Sequence, residues 1–379
     1  MKKTKIFAAY LPQYHETEDN NKFWGDGYTD WVGVRNAKPQ YEGHKQPKKP
    51  LHDNYYNLLD VDVIRKQAKL AKENGIYGFN IYHYWFKDGK QELEKPAELL
   101  LENKDIDISF FFTWDNASWK RTWDNIPGND WAPAFDINDG ENRSRGVLVE
   151  FSYGDKNKWK EHFDYLLNFF RDNRYYKVDN KPVFMFIGRN DEAILKEMGE
   201  YWNELAIQNG FSGMLLATKK KNFFSKPVFD YDFDYEPEKN AWGQRRAIEK
   251  RVTKIRGIKC HRDEPVKYRY SYEKVWKRII KNARKNVGRE ILGSFVRYDD
   301  TPRRGKDAMI IEGETPEKFC EYFRNLYAIC CKNNAEFMLL TAWNEWGEGA
   351  YLEPDEENEY AYLEALKRAV DNVDKEMKI

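Results

Sequence analysis

Two glutamates three residues apart, Glu345 and Glu348, lie in the run Trp343-Asn344-Glu345-Trp346-Gly347-Glu348-Gly349. Two carboxylates beside large aromatic rings suit the cleavage of glycosidic bonds. One acid is kept protonated by apolar surroundings while the other stays ionised, so a proton can be given on one side and taken on the other. The bland alternative is a strand end carrying two solvated glutamates. Other side chains with chemical potential stand where the chain leaves an apolar run. His15 and His83 can donate hydrogen bonds to sugar hydroxyls. Glu236 and Asp299 can bind hydroxyls, or serve only as partners of Arg297 or Arg303. Tyr10, Gln13, Asn116, Arg189 and Asn344 complete the expected substrate contacts. The rings of Trp85, Trp114, Trp343 and Trp346 offer faces on which a sugar can stack. Trp85, Trp114 and Trp343 in particular are expected to line a glycan groove. His162 stands between Trp159 and Phe163 on a helical pattern and reads as structural.

Positioning these residues requires strands that all end on one side. The apolar runs Ile6–Leu11, Ile76–Tyr82, Ile108–Thr113, Pro182–Ile187, Met214–Thr218, Phe229–Phe233, Ile291–Val296 and 337–342 are spaced for strands. Helical patterns alternate with them. Ile64, Ala68 and Ala71 share one face of a helix starting after Asp60 and ending at Asn74-Gly75. Thr315-Pro316 supplies an N-cap followed by proline at the first helical position. Strand–helix units repeated in this way predict an α/β fold, a (β/α)8 TIM barrel with long βα-loop insertions, over residues 1–379 as one domain. Active sites of such barrels sit at the carboxyl ends of the strands, where His15, His83, Trp114, Arg189, Glu236, Asp299, Glu345 and Glu348 fall. A first insertion of roughly forty residues follows the third strand, a length usually tied to function, and a basic one runs from Lys239 to Arg269.

Composition narrows the function classes. Lys+Arg and Asp+Glu are both 63, so the formal charge is zero and nucleic acid is not an expected partner. Aromatic residues make up 16%, with many rings clustered just after strands, where they can line a groove. No Gly-x-Gly-x-x-Gly follows the first strand and no Walker phosphate loop is present, which disfavours a nucleotide-binding sheet. The run Ile6–Leu11 meets Pro12 and lacks the features of a leader, and no stretch is long enough for a membrane span. A cytoplasmic protein is expected. Cys260, Cys320, Cys330 and Cys331 form no Cys-x-x-Cys pair and read as free thiols. No metal is expected, because His15 and His83 belong to different strands without local ligand spacing. No cofactor is expected either, and the sequence leaves the oligomeric state open.

Six stretches carry a resemblance over nearly the full length. They are Tyr10-Leu11-Pro12-Gln13-Tyr14-His15, Trp24-Gly25-Asp26-Gly27, Tyr82-His83-Tyr84-Trp85-Phe86, Ser118-Trp119-Lys120-Arg121-Thr122-Trp123-Asp124, Asp299-Asp300-Thr301-Pro302-Arg303 and Ala342-Trp343-Asn344-Glu345-Trp346-Gly347-Glu348-Gly349. Together they resemble the WbsX-like proteins of bacterial polysaccharide loci. That group belongs with the glycoside hydrolase family 99-like (endo-α-mannosidase-like) barrels. The resemblance implies a role for each acid. The carboxylate at Glu345 would take the proton from the substrate's own 2-hydroxyl. That oxygen would displace the leaving group through an anhydro-sugar intermediate, with net retention. Glu348 would protonate the leaving oxygen and later activate water. Such a route needs a 2-hydroxyl anti to the leaving group, as in α-mannosides and α-rhamnosides. An ordinary retaining enzyme uses a carboxylate nucleophile about 5–5.5 Å from the acid, and the sequence spacing fits both routes. The implied function is a hydrolase of an α-manno- or α-rhamno-configured polysaccharide. A glycosyltransferase or transglycosylase of surface-polysaccharide (O-antigen) biosynthesis is the alternative, and a non-catalytic glycan-binding barrel the third.

Overall fold

A computed structural model describes residues 2–120, 147–220, 226–242, 265–266, 268–288 and 290–378. The expectations placed on Arg121–Asp124, on Cys260 and on most of the basic insertion lie outside the described residues.

Eight parallel stretches build the barrel. They are β1 (Lys5–Tyr10), β2 (Gly78–Trp85), β3 (Ser109–Trp114), β4 (Lys181–Phe186), β5 (Leu215–Lys219), β6 (Tyr231–Phe233), β7 (in two pieces, Glu290–Ile291 and Gly293–Phe295) and β8 (Phe337–Thr341). Neighbours in sequence pair side by side from β1 to β6, and β8 pairs with β1. The circle closes through β7. Its first piece pairs Glu290 with Asp232 of β6, and its second pairs Gly293 with Leu339 of β8. Between the pieces, the Leu292 carbonyl still accepts the Leu339 N–H at 2.9 Å. The barrel expected from the sequence is therefore present, with β6 shorter than the apolar run suggested and β7 broken where it turns from one neighbour to the other.

The outer layer consists of α1 (Val61–Glu73), α2 (Lys95–Glu102), α3 (Lys156–Phe170), α4 (Glu192–Gln208), α5 (Tyr272–Asn286), α6 (Pro316–Lys332) and α7 (Ala361–Met377). Their ends follow local chemistry. The Asp60 carboxylate caps α1 by accepting the Asp62 N–H, and the Thr315 hydroxyl caps α6 by accepting the Lys318 N–H. Ile64, Ala68 and Ala71 of α1 are buried against the barrel as their spacing requires. The strands are nearly continuous hydrophobic runs because both faces are covered, one by the barrel interior and one by helices.

Three additions at the carboxyl ends of the strands shape the mouth. The β1 loop carries two short helices, Glu18–Trp24 and Asp30–Asn36. After β7 come the short helix Thr301–Arg304 and the strands Tyr298–Asp299 and Met309–Glu312, which form a small sheet with Tyr268–Ser271 from the β6–β7 connection. After β3, Trp119–Lys120 pairs antiparallel with Val147–Val149 and closes the base of the first insertion.

Candidate active site

The chain leaving β8 is bolted to the chain leaving β1. The Asn344 side chain accepts the Leu11 N–H at 2.7 Å and donates to the Leu11 carbonyl at 3.0 Å. Tyr14 reaches over from the same β1 loop; its hydroxyl bonds the Asn344 carbonyl and accepts the Trp346 N–H. Below the turn, the buried Glu353 carboxylate collects hydrogen bonds from Trp346 Nε1 at 2.7 Å, Tyr56 at 2.8 Å and Gln67 at 2.7 Å. The Trp346 ring lies on Tyr351, with centroids 3.6 Å apart. These contacts hold Glu345 and Glu348 on a rigid short turn.

Both glutamates meet the same cation. Arg303 donates through Nη2 to Glu345 at 3.2 Å and to Asp30 at 3.0 Å, and through Nη1 to Glu348 at 3.1 Å. Asp30 in turn accepts the Gly347 N–H at 3.2 Å. A side chain at residue 347 would place its Cβ 2.5 Å from Arg303 Nε and 2.8 Å from the Asp30 carboxylate, so only glycine lets the turn pass this close. One guanidinium cannot compensate three carboxylates out of water. Burial pushes the Glu345 carboxyl up to about 8. Arg303 opposes the shift, while Glu348 and Asp30 add to it. Glu345 is nearly enclosed, whereas the Glu348 side chain keeps 20% of its exposure.

The pair opens into a cleft of about 320 Å³ at the carboxyl ends of the strands. Tyr82, Tyr84, Tyr235, Trp119, Asp115 and Ile187 line it together with Arg303. The Tyr82 and Tyr235 hydroxyls share a hydrogen bond of 2.6 Å. The Asp115 carboxyl is pushed up to about 6 by burial, with Lys219 opposing the rise. Hydroxyl donors, two acids and aromatic surface around a small cleft are what recognition of a polyhydroxylated ring requires.

Most of the remaining sequence candidates are framework rather than cleft. Trp85, Trp114 and Trp343 are buried, the last two almost completely, so the expected glycan groove is not made of them. Strand geometry gives the reason, since alternate side chains point to opposite faces. Tyr82 and Tyr84 share one parity and face the cleft; His83 and Trp85 have the other and face the helices. His83 Nε2 lies 2.7 Å from His162 Nε2 of α3, and the Trp85 ring stacks on His162 at 4.3 Å. Trp114 points the same way, against His162 and Trp202, while Asp115 faces the cleft. The structural reading of His162 fits this packing, whereas His83 is its neutral buried partner, driven to about 3 by burial.

The other corrections follow the same logic. His15 is enclosed, driven to about 4 by burial, and bonds the Pro12 carbonyl at 2.9 Å. The Tyr10 hydroxyl donates to Gln67 at 2.7 Å beneath the motif. Gln13 is fully buried, and its carbonyl holds the Asp30 N–H at 3.0 Å. Asn116 clamps β3 to β4 by accepting the Gly188 N–H at 2.6 Å and donating to the Gly188 carbonyl at 3.0 Å. Arg189 reaches Asp232 of β6 at 3.5 Å. Glu236 is buried and accepts the Asn240 N–H at 3.2 Å. Asn344 and Trp346 are consumed by the contacts of the turn itself. Asp299 binds His44, Gln46 and Thr301 and is not in the glutamate cleft. The residues that sequence reasoning did not select are Asp30, Tyr82, Tyr84, Asp115, Trp119, Tyr235 and Arg303. Strand parity would have found Tyr82 and Tyr84; nothing in the local sequence marks Asp30. Among the described residues no three His, Cys, Asp or Glu side chains are grouped to hold a metal. No helix among them is long and apolar enough to cross a membrane.

The described residues thus form a TIM barrel that carries paired glutamates on one arginine, in an aromatic and hydroxyl-lined cleft at its carboxyl-terminal mouth. The chain is a member of the family described as glycosyltransferase WbsX, whose match spans residues 6–366. The uncharacterized protein WxcX of Xanthomonas campestris pv. campestris, in strains ATCC 33913 and B100, is 27% identical over 377 residues, 96% of this chain. The chain spans about half the length of these curated relatives, 49%. The fold is shared with the GH99 endo-alpha-mannosidase from Bacteroides thetaiotaomicron, with a TM-score of 0.56, 14% identity and full coverage of both chains. A glycoside hydrolase-like protein matches with a TM-score of 0.53 and 13% identity, over 98% of this chain and 94% of its own.

Proposed function

We propose that the chain is a retaining glycoside hydrolase of an α-manno- or α-rhamno-configured polysaccharide, with Glu345 and Glu348 as its acid–base pair. The observation that carries this reading is the shared Arg303: it gathers both glutamates at one wall of a cleft rich in hydroxyl donors. Glu345 takes the proton from the substrate's 2-hydroxyl. That oxygen attacks the anomeric carbon as the glycosidic bond breaks, and Glu348 protonates the departing oxygen. Water, deprotonated by Glu348, then opens the anhydro-sugar, and the 2-oxygen recovers its proton from Glu345. The enclosed, proton-retaining Glu345 supports this last return step. Tyr82, Tyr84, Tyr235, Trp119 and Asp115 hold the sugar.

A transferase reading is favoured by one finding, the description of the matched family. The same cleft would then pass the sugar to a hydroxyl instead of water. Incubating purified protein with α-mannan and rhamnan oligosaccharides, with and without nucleotide sugars, separates the two. Shortened products without a nucleotide support the hydrolase. Elongated products that require a nucleotide sugar replace it with the transferase. The absence of turnover on every α-manno and α-rhamno substrate would defeat the substrate assignment.

A further inference from the structure

A second cavity of about 340 Å³ lies at the same end of the barrel. Its walls come from the β1 loop (Tyr41, His44, Lys48), from the small sheet after β7 (Tyr298, Ile311) and from Gly349, the residue immediately after Glu348. The walls are braced from within. His44 Nε2 bonds Asp299 at 2.8 Å, and its ring stacks on Tyr41 with centroids 4.8 Å apart. The Tyr41 hydroxyl donates to Glu312 at 2.8 Å, and Lys48 pairs with Glu357 at 2.8 Å. Arg297 is committed to Asp355 at 2.7 Å. Glu314, also in the wall, is less committed. The Glu314 side chain makes no hydrogen bond or ion pair to another side chain among the described residues. Burial raises its pKa, with a hydrogen bond from its own backbone N–H opposing first and Lys48 and Arg297 after it.

We infer that this cavity is a second saccharide-binding subsite, in which Glu314 accepts hydrogen bonds from the hydroxyls of a sugar unit on the glycan held in the catalytic cleft. Three observations choose the occupant. The cations of the wall are already neutralised, so an anion would meet Glu314, Asp299, Glu312 and Glu357 without compensation. The lining mixes charged and hydroxyl groups with the apolar surface of Tyr41, Tyr298 and Ile311, which suits a ring that carries both hydroxyls and C–H faces better than a wholly apolar group. The cavity also adjoins the Glu348 turn: Gly349 is in its wall, and a Cβ on Gly349 would stand 2.9 Å from the backbone of Asp299, another wall residue. A neutral polyhydroxylated unit, connected to the one being cleaved, meets all three. The inference rests on the proposed function for the identity of the glycan, and it adds that the substrate is a chain that spans both cavities.

The test is direct binding, which needs no turnover. Linear α-mannotetraose and α-rhamnotetraose are titrated calorimetrically against wild type, Glu314→Gln and Glu314→Ala, with the methyl monoglycosides as short ligands. Wild type should bind one tetrasaccharide more tightly than its monoglycoside. Glu314→Ala should weaken that tetrasaccharide about tenfold, the scale of one hydrogen bond to a charged group, and change the monoglycoside less than about twofold. Glu314→Gln, which keeps an acceptor oxygen, should fall between. Unchanged thermal midpoints establish that both variants fold. A tetrasaccharide that binds no more tightly than the monoglycoside, or an equal loss on both ligands, overturns the subsite. If the chain-length effect appears but no hydrolysis or transfer follows, the proposed function fails and the subsite stands.

Discussion

Arg303 holds three carboxylates with one charge, and the consequences fall on Glu345. Its carboxyl is pushed up to about 8, first by burial and then by Glu348 and Asp30, against the pull of Arg303. A base must be ionised, so a Glu345 that takes the 2-hydroxyl proton predicts a kcat/KM that climbs with pH and levels off above about 8. This profile reports the free enzyme. A kcat/KM that instead falls through the same range would exchange the roles of the two acids. Division of labour is testable by substitution as well. Glu348→Gln should lower cleavage of a natural glycan by about 10²–10⁴-fold, the usual share of general acid–base catalysis, yet spare the initial burst of aglycone from an aryl glycoside whose leaving group departs unaided. Glu345→Gln should depress both substrates alike. A 2-fluoro substrate that traps a covalent adduct on Glu345 would replace the anhydro-sugar route with an ordinary nucleophile. Arg303→Gln removes the positive charge that Glu345, Glu348 and Asp30 share among the described residues, and should cost about 3–5 kcal/mol in unfolding free energy, as broken buried pairs do. Denaturant unfolding of that variant checks the figure. The glutamates were legible because their chemistry is carried by one local run. Asp30 and Arg303 were not, because what makes them matter is a contact across 273 residues of sequence.

At the scale of elements, the turn that carries Glu345 and Glu348 depends on how two strand ends are tied together. Asn344 uses both ends of its amide on Leu11, so Asn344→Ala leaves a buried N–H and a buried carbonyl unsatisfied. A cost of about 2–4 kcal/mol is expected, from desolvated groups worth about 1–3 kcal/mol each, with activity falling in parallel. Gly349 has φ +57°, and a Cβ there would stand 2.9 Å from the Asp299 backbone. Gly349→Ala therefore combines about 1–2 kcal/mol of left-handed strain with a clash that displaces Glu348. Its kcat should fall by far more than its thermal midpoint suggests; a variant with normal kcat would show that the turn tolerates the shift. The strands and their order were legible from apolar runs punctuated by caps. The side of each strand on which a ring falls was not read, and that is what misplaced Trp85 and Trp114. Both follow a strand's apolar run, as cleft residues do, but their parity sends them beneath α3 and α4. Trp119, at the base of the insertion after β3, supplies aromatic surface in their place.

Across the whole molecule, buried titratable groups of opposite kinds set the pH of greatest stability. His15 and His83 are driven from 6.5 to about 4 and about 3 by burial, and burial with His83 beside it sends His162 well below its ordinary value. Unfolding lets each take a proton that the fold refuses, so their contribution is complete above pH 6.5 and is lost as pH falls below it. The carboxyls run the other way. Burial raises Glu345 from 4.5 to about 8 and Glu353 from 4.5 to about 7, the latter despite its hydrogen bond from Trp346. Burial also raises Asp300 from 3.8 to about 7, against Arg304. Their contribution is complete below the ordinary carboxyl range and is lost as pH rises towards 8. Below pH 4.5 the histidines dominate and stability increases with pH; above 6.5 only the carboxyls still change, and it decreases. The thermal midpoint should therefore peak between pH 4.5 and 6.5 and drop by on the order of a few °C by pH 8. Glu345→Gln removes the highest of these carboxyl titrations, so its midpoint should fall less steeply than wild type between pH 6.5 and 8. Scanning both proteins from pH 4 to 9 decides the matter, and a wild-type midpoint still rising at pH 8 would mean that Arg303 keeps Glu345 ionised in the folded chain.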